Sequence, residues 1–78
     1  MALVRKLEKS SMLRTGVHEP VDCTYTVFVA GAGQRYLQID TYGSIRRQFR
    51  GKKSQSIQFG PEAIGALHRL LQDENLNP

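Results

Sequence analysis

Three segments of alternating side chains follow one another in the middle of the chain, and they limit its fold more than any other feature. Residues 21–29 read VDCTYTVFV, residues 35–42 read RYLQIDTY and residues 54–59 read SQSIQF. A period of two with many β-branched and aromatic residues is typical of β-strands. The sequence AGAG at residues 30–33 predicts a turn between the first two segments. We therefore expect an antiparallel meander over residues 21–59.

The end of the chain predicts one helix over residues 60–74. Gly60 is a candidate N-cap, Pro61 suits the first helical position, and Glu62 lies in the first turn, where the helix dipole favours an anion. One apolar stripe at helical spacing comprises Ala63, Ile64, Leu67, Leu70 and Leu71. We expect this stripe to cover the apolar side of the sheet, and residues 75–78 to fray.

The length of 78 residues indicates a single domain, 1–78. A chain this short buries only about 60% of the surface that its unfolded form exposes, so help from a partner chain is plausible. For residues 1–20 the sequence leaves open a first strand, a short helix or a loose arm, and we favour the strand. The predicted fold class is α+β: an antiparallel sheet of three or four strands followed by one C-terminal helix packed on one face, in the order ββββα.

A helix on the apolar side leaves the other side of the sheet open to water or a partner. In this interpretation the open side is polar and carries aromatic rings. Its residues are Thr24, Thr26, Phe28, Tyr36, Gln38, Tyr42, Ser54, Ser56 and Gln58.

Positive charge is concentrated in the middle third of the chain. Residues 35–59 have a net charge of +5, whereas residues 1–34 have +1 and residues 60–78 have −2. A clustered basic patch on a small domain is typical of proteins that bind polyanions. A charged but merely solvated loop is the alternative interpretation.

Several classes of protein are disfavoured by composition. No apolar run approaches the roughly 20 residues of a membrane span, and residues 1–10 are charged where a signal peptide is hydrophobic. The single cysteine, Cys23, excludes an internal disulfide and a four-cysteine zinc site. We expect a cytoplasmic protein, associated with the nucleoid if it is bacterial, with no membrane partner.

Candidate residues for catalysis or metal binding are few. His18, Cys23 and His68 lack zinc-site spacing, and Cys23 lies among the apolar strand positions, where a buried structural thiol is expected. Asp22 and Asp40 with Lys52 loosely resemble the acidic groups and lysine of a metal-dependent nuclease. We expect no catalytic residue, metal or cofactor, and a nuclease-associated fragment is the third functional hypothesis.

Binding of single-stranded nucleic acid agrees better with the residues present. Such proteins combine a basic groove that neutralises phosphates with aromatic faces on which bases stack. The candidate nucleic-acid-binding residues are Tyr36, Gln38, Tyr42, Arg46, Arg47, Phe49, Arg50, Lys52, Lys53, Ser54 and Ser56. For the aromatic residues, packing across strands is the alternative role.

Residues 34–72, which include QRYLQIDTYGS and GKKSQSIQFGPEAIGALHRLLQ, resemble the positive-cofactor-four type of transcriptional coactivator domain. The arrangement is also similar to purine-rich-element-binding and Whirly domains. The resemblance implies a curved four-stranded sheet with a helix, a homodimer, and single-stranded DNA or RNA bound across the sheets and basic loops. By position, Lys52, Lys53 and Ser54 correspond to the family's nucleic-acid-contacting strand start, and Tyr36 and Gln38 to its sheet surface. The first 20 residues have no counterpart in the resemblance.

The leading functional hypothesis is therefore a homodimer that binds single-stranded DNA or RNA with low sequence specificity, in transcription or DNA maintenance. The main alternative is a protein-interaction or accessory module that uses the open sheet face.

Overall fold

The computed structural model describes residues 1–11, 15–43 and 53–76. It contains β1 (Ala2–Val4), β2 (Cys23–Ala30), β3 (Gln34–Tyr42), β4 (Lys53–Phe59) and α1 (Pro61–Asp73). This confirms the predicted α+β class and the element order ββββα. No helix in these three ranges is long and apolar enough to cross a membrane.

The sheet has the strand order β1-β4-β3-β2. Strands β2, β3 and β4 form the predicted antiparallel meander, and β1 is the strand favoured for the N-terminal segment. However, β1 lies parallel to β4, so the sheet is mixed where an antiparallel one was expected. Strand β1 lies at one edge of the sheet, beside β4, and β2 lies at the other edge. The backbone N–H of Gly60 also donates to the carbonyl oxygen of Val4, at 3.2 Å.

The hairpin between β2 and β3 depends on two glycines. Gly31 and Gly33 have φ values of 60° and 81°, in the left-handed region that residues with a Cβ rarely adopt. These glycines close the connection between Ala30 and Gln34, which pair directly. Further along the hairpin, the rings of Phe28 and Tyr36 stack with centroids 5.4 Å apart.

Helix α1 begins where the sequence predicts. Gly60 is the N-cap in an extended conformation, and Pro61 follows it. The amide of Ile64 donates to the carbonyl of Gly60 at 2.9 Å, which closes the first turn. The helix contacts β3 and β4.

The C-terminal end of the helix is capped by residues for which the sequence predicts fraying. Asn75 has a φ of 56°, and its backbone N–H donates to the carbonyl oxygen of Gln72. The backbone N–H of Leu76 donates to the carbonyl oxygen of Leu71 at 2.9 Å. These two bonds form a Schellman motif, which satisfies carbonyls at the helix end. The described part of the tail, Asn75 and Leu76, is therefore bonded to the helix.

The structure corrects the prediction of which sheet face the helix covers. The least exposed residue of the sheet, Asp40, retains 2% exposure and belongs to the polar side. Near the helix start, a Cβ on Gly60 would lie 3.8 Å from the Tyr36 ring, also on that side. On the apolar side, by contrast, Tyr25 and Val27 remain 74% and 54% exposed. The helix therefore packs over the polar side, and the apolar side is left open.

Burial of the polar side is possible because its side chains form hydrogen bonds with one another. In the described ranges, no buried side-chain nitrogen or oxygen lacks a hydrogen-bond partner. A polar layer of this kind can be covered without the cost of unpaired groups. The alternation correctly separates the two sides of the sheet, but polarity alone misidentifies the covered one.

Candidate nucleic-acid interface

The basic candidates occupy the connection between β3 and β4. Tyr42 pairs with Lys53, and a β-bulge interrupts the ladder between Thr41 and Tyr42. This pairing places both ends of the connection at one end of the sheet, which we call the loop end. The candidates that lie outside the described residues are Arg46, Arg47, Phe49, Arg50 and Lys52.

Tyr42 is the candidate aromatic residue that the structure places at the loop end. Its side chain is half-buried, and its hydroxyl shares a hydrogen bond of 3.0 Å with Oγ1 of Thr24 on β2. The backbone amide of Tyr42 donates to the carbonyl oxygen of Asp22, also at 3.0 Å. These contacts fix the phenol ring beside the start of the basic connection.

Gln38 and Ser56 belong to a hydrogen-bonded network beneath the helix. The carboxylate of Asp40 accepts hydrogen bonds from the hydroxyl of Ser56 and from Nε2 of Gln38, the latter at 2.9 and 3.2 Å. Gln38 in turn accepts from Nε2 of Gln58 at 2.8 Å. Since Asp40 is almost inaccessible, this network stabilises the sheet, and the prediction that Gln38 and Ser56 lie on an open face is wrong.

Tyr36 lies at the opposite end of the sheet from the basic connection. Tyr36 and Tyr42 are six positions apart along β3, which is a distance of about 20 Å at roughly 3.3 Å per residue. Tyr36 lines a surface groove of about 600 Å³ together with Arg5, Lys6 and the first residues of α1. One face of its ring is already stacked against Phe28. The structure therefore does not bring Tyr36 together with the loop-end candidates.

The remaining candidates are near the loop end. Lys53 is the first residue of β4, and Ser54, which follows it, is exposed. With Tyr42, these residues are the described candidates that the fold places next to the basic connection.

Of the groups considered for catalysis, Lys52 lies outside the described residues. Within the described ranges, no cluster of three or more His, Cys, Asp or Glu residues could hold a metal ion. Asp40 is engaged in the buried network, whereas Asp22 is exposed. The expectation of a buried Cys23 thiol is wrong: Cys23 is exposed, because its side of the sheet is the one that the helix leaves open.

Two basic residues of the N-terminal segment are neutralised by ion pairs. Lys6 contacts Glu8, and Lys9 contacts Glu74 at the end of the helix, both at 2.9 Å. The hydrogen bond and the negative charge of Glu74 raise the pKa of Lys9. Both pairs lie outside the β3–β4 connection, whose sequence carries the denser positive charge.

Two structural features were missed at the sequence level. The Asp40 network needs the register of β3 and β4, which places Asp40 opposite Ser56 and Gln38 opposite Gln58. The apolar open face was visible as an alternating pattern, but it was assigned to the helix.

Comparison of the chain with protein-family models, curated proteins and solved structures gives no match.

Proposed function

We propose that this protein binds single-stranded DNA or RNA at the loop end of its sheet, with little sequence specificity, and that it works as a homodimer. The observation that carries the proposal is the charge of the β3–β4 connection. Residues 44–52 contain four basic residues and no acidic one, and Lys53 follows directly. Polyanion binding is the function for which such a cluster is best suited.

The fold supports this location because, in the described ranges, neither sheet face presents a cluster of cations to a polyanion. The helix covers the polar face over β3 and β4, and the open face is apolar, with Arg35 at its border. The loop end differs from both, since the basic segment of the sequence follows Tyr42 along the chain and contains Phe49, and the Tyr42 hydroxyl is held by Thr24. Cations neutralise phosphates, and an aromatic ring contributes about 1–3 kcal/mol for each base that stacks on it.

Weak sequence specificity follows from the kinds of groups involved. Phosphate contacts position a nucleic acid but carry no sequence information. Gln38 and Gln58, two glutamines with side-chain amides suited to reading base edges, are held in the network around Asp40. On this proposal we expect the protein in the cytoplasm, associated with the nucleoid if it is bacterial.

The test is fluorescence anisotropy with a labelled oligothymidine at several salt concentrations. If four phosphates are neutralised per subunit, the logarithm of the association constant falls with the logarithm of salt concentration with a slope of about −3, because each contact contributes roughly −0.7. Replacing Arg46, Arg47 and Arg50 by alanine should bring the slope to about −1 and weaken binding to all sequences alike.

A matched control removes three positive charges from the other end of the sheet. The triple variant Arg5→Ala, Lys6→Ala, Arg35→Ala has the same change in net charge, and all three positions are exposed. It should keep most of the slope. Equal losses in the two triple variants would show that only net charge matters, and no binding of the wild type near 50 mM salt would remove the proposal. A duplex of equal length, bound as tightly as the single strand, would refute the preference for single strands.

A further inference from the structure

The open face is an apolar surface that the proposed nucleic-acid site does not use. Its side chains form cross-strand rows: Tyr25, Ile39, Ile57 and Ala2 in one, Val27, Leu37, Phe59 and Val4 in the next. Tyr25, Val27, Val29 and Ile57 are exposed by 74, 54, 61 and 36%. Contiguous apolar surfaces of this kind mark interaction sites on soluble proteins.

The interior of a single subunit does not compensate for this exposure. Among the described residues, Ala63 is the one apolar residue that is fully buried. No large side chain in these ranges is fully buried. A small domain with so little buried apolar surface depends on further burial for its stability. The open face therefore requires a cover.

We infer that the cover is the open face of a second copy, so that two sheets pack face to face. This deepens the homodimer part of the proposed function and rests on it. An acidic partner is disfavoured on this face, because Arg35, at its border, is the one charged side chain among its described residues. A second copy brings a surface of the same polarity, and twofold symmetry makes the face complementary to itself.

The projected area of the face gives a lower bound on the surface that a face-to-face dimer would bury. Strand spacing of about 4.8 Å and a rise of about 3.3 Å per residue assign about 32 Å² of flat sheet to each side chain on one face. The twelve uncharged positions, in the two rows above plus Val29 and the row of Cys23, Thr41 and Gln55, then cover about 380 Å² per copy, or about 760 Å² for both. Protruding side chains that interdigitate bury more than this flat projection, which brings the contact toward the lower bound of about 1,200 Å² for stable interfaces.

The geometry expected is that of a two-layer sheet sandwich with the helices outside. Two packed sheets lie about 10 Å apart with strand directions within about 30° of each other. The buried apolar layer would then include Tyr25 and Val27 of both copies. Cys23, the single cysteine of the chain and exposed in one subunit, would lie within the contact.

Light scattering after gel filtration, combined with labelling of Cys23, tests the inference. The wild type should have twice the subunit mass of 8.8 kDa. Val27→Glu should be monomeric, since burying an unpaired carboxylate in each copy weakens association by about 100-fold or more. Thr26→Glu is the matched control, because Thr26 is the adjacent, exposed, β-branched residue on the other side of the same strand; it should remain a dimer.

The thiol supplies a second measurement that does not depend on a variant's folding. Cys23 of the wild type should react with a thiol reagent at least about tenfold faster after dilution to the monomer, because association removes it from solvent. A wild type that is monomeric at every concentration would overturn the inference. So would a dimer in which Val27→Glu keeps the wild-type mass, or one in which Cys23 reacts at the same rate at all dilutions.

These outcomes are separate from those for nucleic-acid binding. A dimer that fails to bind oligothymidine supports the interface and refutes the ligand. A monomeric Val27→Glu variant that retains a salt-dependent affinity per subunit supports both.

Discussion

The buried network around Asp40 predicts a large loss of stability for Asp40→Ala. The carboxylate is 2% exposed and accepts hydrogen bonds from Gln38 and Ser56. Its removal leaves two donors without that acceptor, and each unsatisfied buried group costs about 1–3 kcal/mol. Because Gln38 and Ser56 are only half-buried, water can reach them in part, and we expect a total loss of about 2–3 kcal/mol.

That loss is a large part of the stability of the chain. Folding free energies of about 0.05–0.15 kcal/mol per residue correspond to roughly 4–12 kcal/mol for 78 residues. Unfolding in urea, followed by far-ultraviolet circular dichroism at one fixed protein concentration, measures the change. If the free energy of unfolding falls by about 1 kcal/mol per molar urea, the urea concentration at the unfolding midpoint should fall by about 2–3 M.

The matched control is Asp22→Ala, which removes the same carboxylate at an exposed position. It should change the free energy of unfolding by less than about 0.5 kcal/mol. Ser56→Ala and the double variant with Asp40→Ala complete a cycle, and their coupling energy should exceed about 0.5 kcal/mol. Equal midpoints for Asp40→Ala and Asp22→Ala would refute the claim that the helix covers the polar face.

Two further predictions concern the turn and the N-terminal segment. Gly33→Ala forces a Cβ into the left-handed region at a φ of 81° and should destabilise the fold by about 1–2 kcal/mol in the same urea assay. Gly16→Ala, at a position with open space and no positive φ, should be neutral, and an equal effect of both would contradict the reasoning. Because Glu74 raises the pKa of Lys9, the contribution of their pair is complete below the unfolded pKa of about 10.4 and is lost as the pH rises through the folded value. The difference in urea midpoint between the wild type and Lys9→Met, measured at low salt, should therefore shrink between pH 9 and pH 12; a difference that grew over that interval would contradict this linkage.

The elements themselves were predictable, because their signals are local. The alternation on both sides of the Gly31–Gly33 turn predicts the β2–β3 hairpin, and Pro61 followed by the apolar stripe predicts the helix. The parallel pairing of β1 with β4 was not predictable. A strand of three residues is too short for an alternating pattern to show which strand it pairs with or in which direction.

The sheet face that the helix covers was not predictable. Alternation shows that a strand has two different sides, but it does not show which side packs against the helix. Asp40 appears in the sequence as an isolated acid, and only the β3–β4 register shows that Ser56 and Gln38 can satisfy it. On our proposal, the alternation of Tyr25 and Val27 still marks a buried surface, which is buried by a second copy.

Part of the candidate site was predictable from the sequence and part was not. The charge of the β3–β4 connection is a property of the sequence, and the proposal retains it. The inclusion of Tyr36, Gln38 and Ser56 depended on an open polar face, and each has a structural role in the fold: stacking on Phe28 for Tyr36, and contact with Asp40 for Gln38 and Ser56.

The most direct test of the account is an amide-resolved NMR titration of the wild type with oligothymidine. If the loop end binds the oligonucleotide, the largest chemical-shift changes among the described residues should occur there, at Tyr42, Gly43, Lys53 and Ser54. Resonances of Tyr25, Val27 and Ile57, on the open face, should change little. Largest changes on the open face, or none at the loop end while the oligonucleotide binds, would contradict the account.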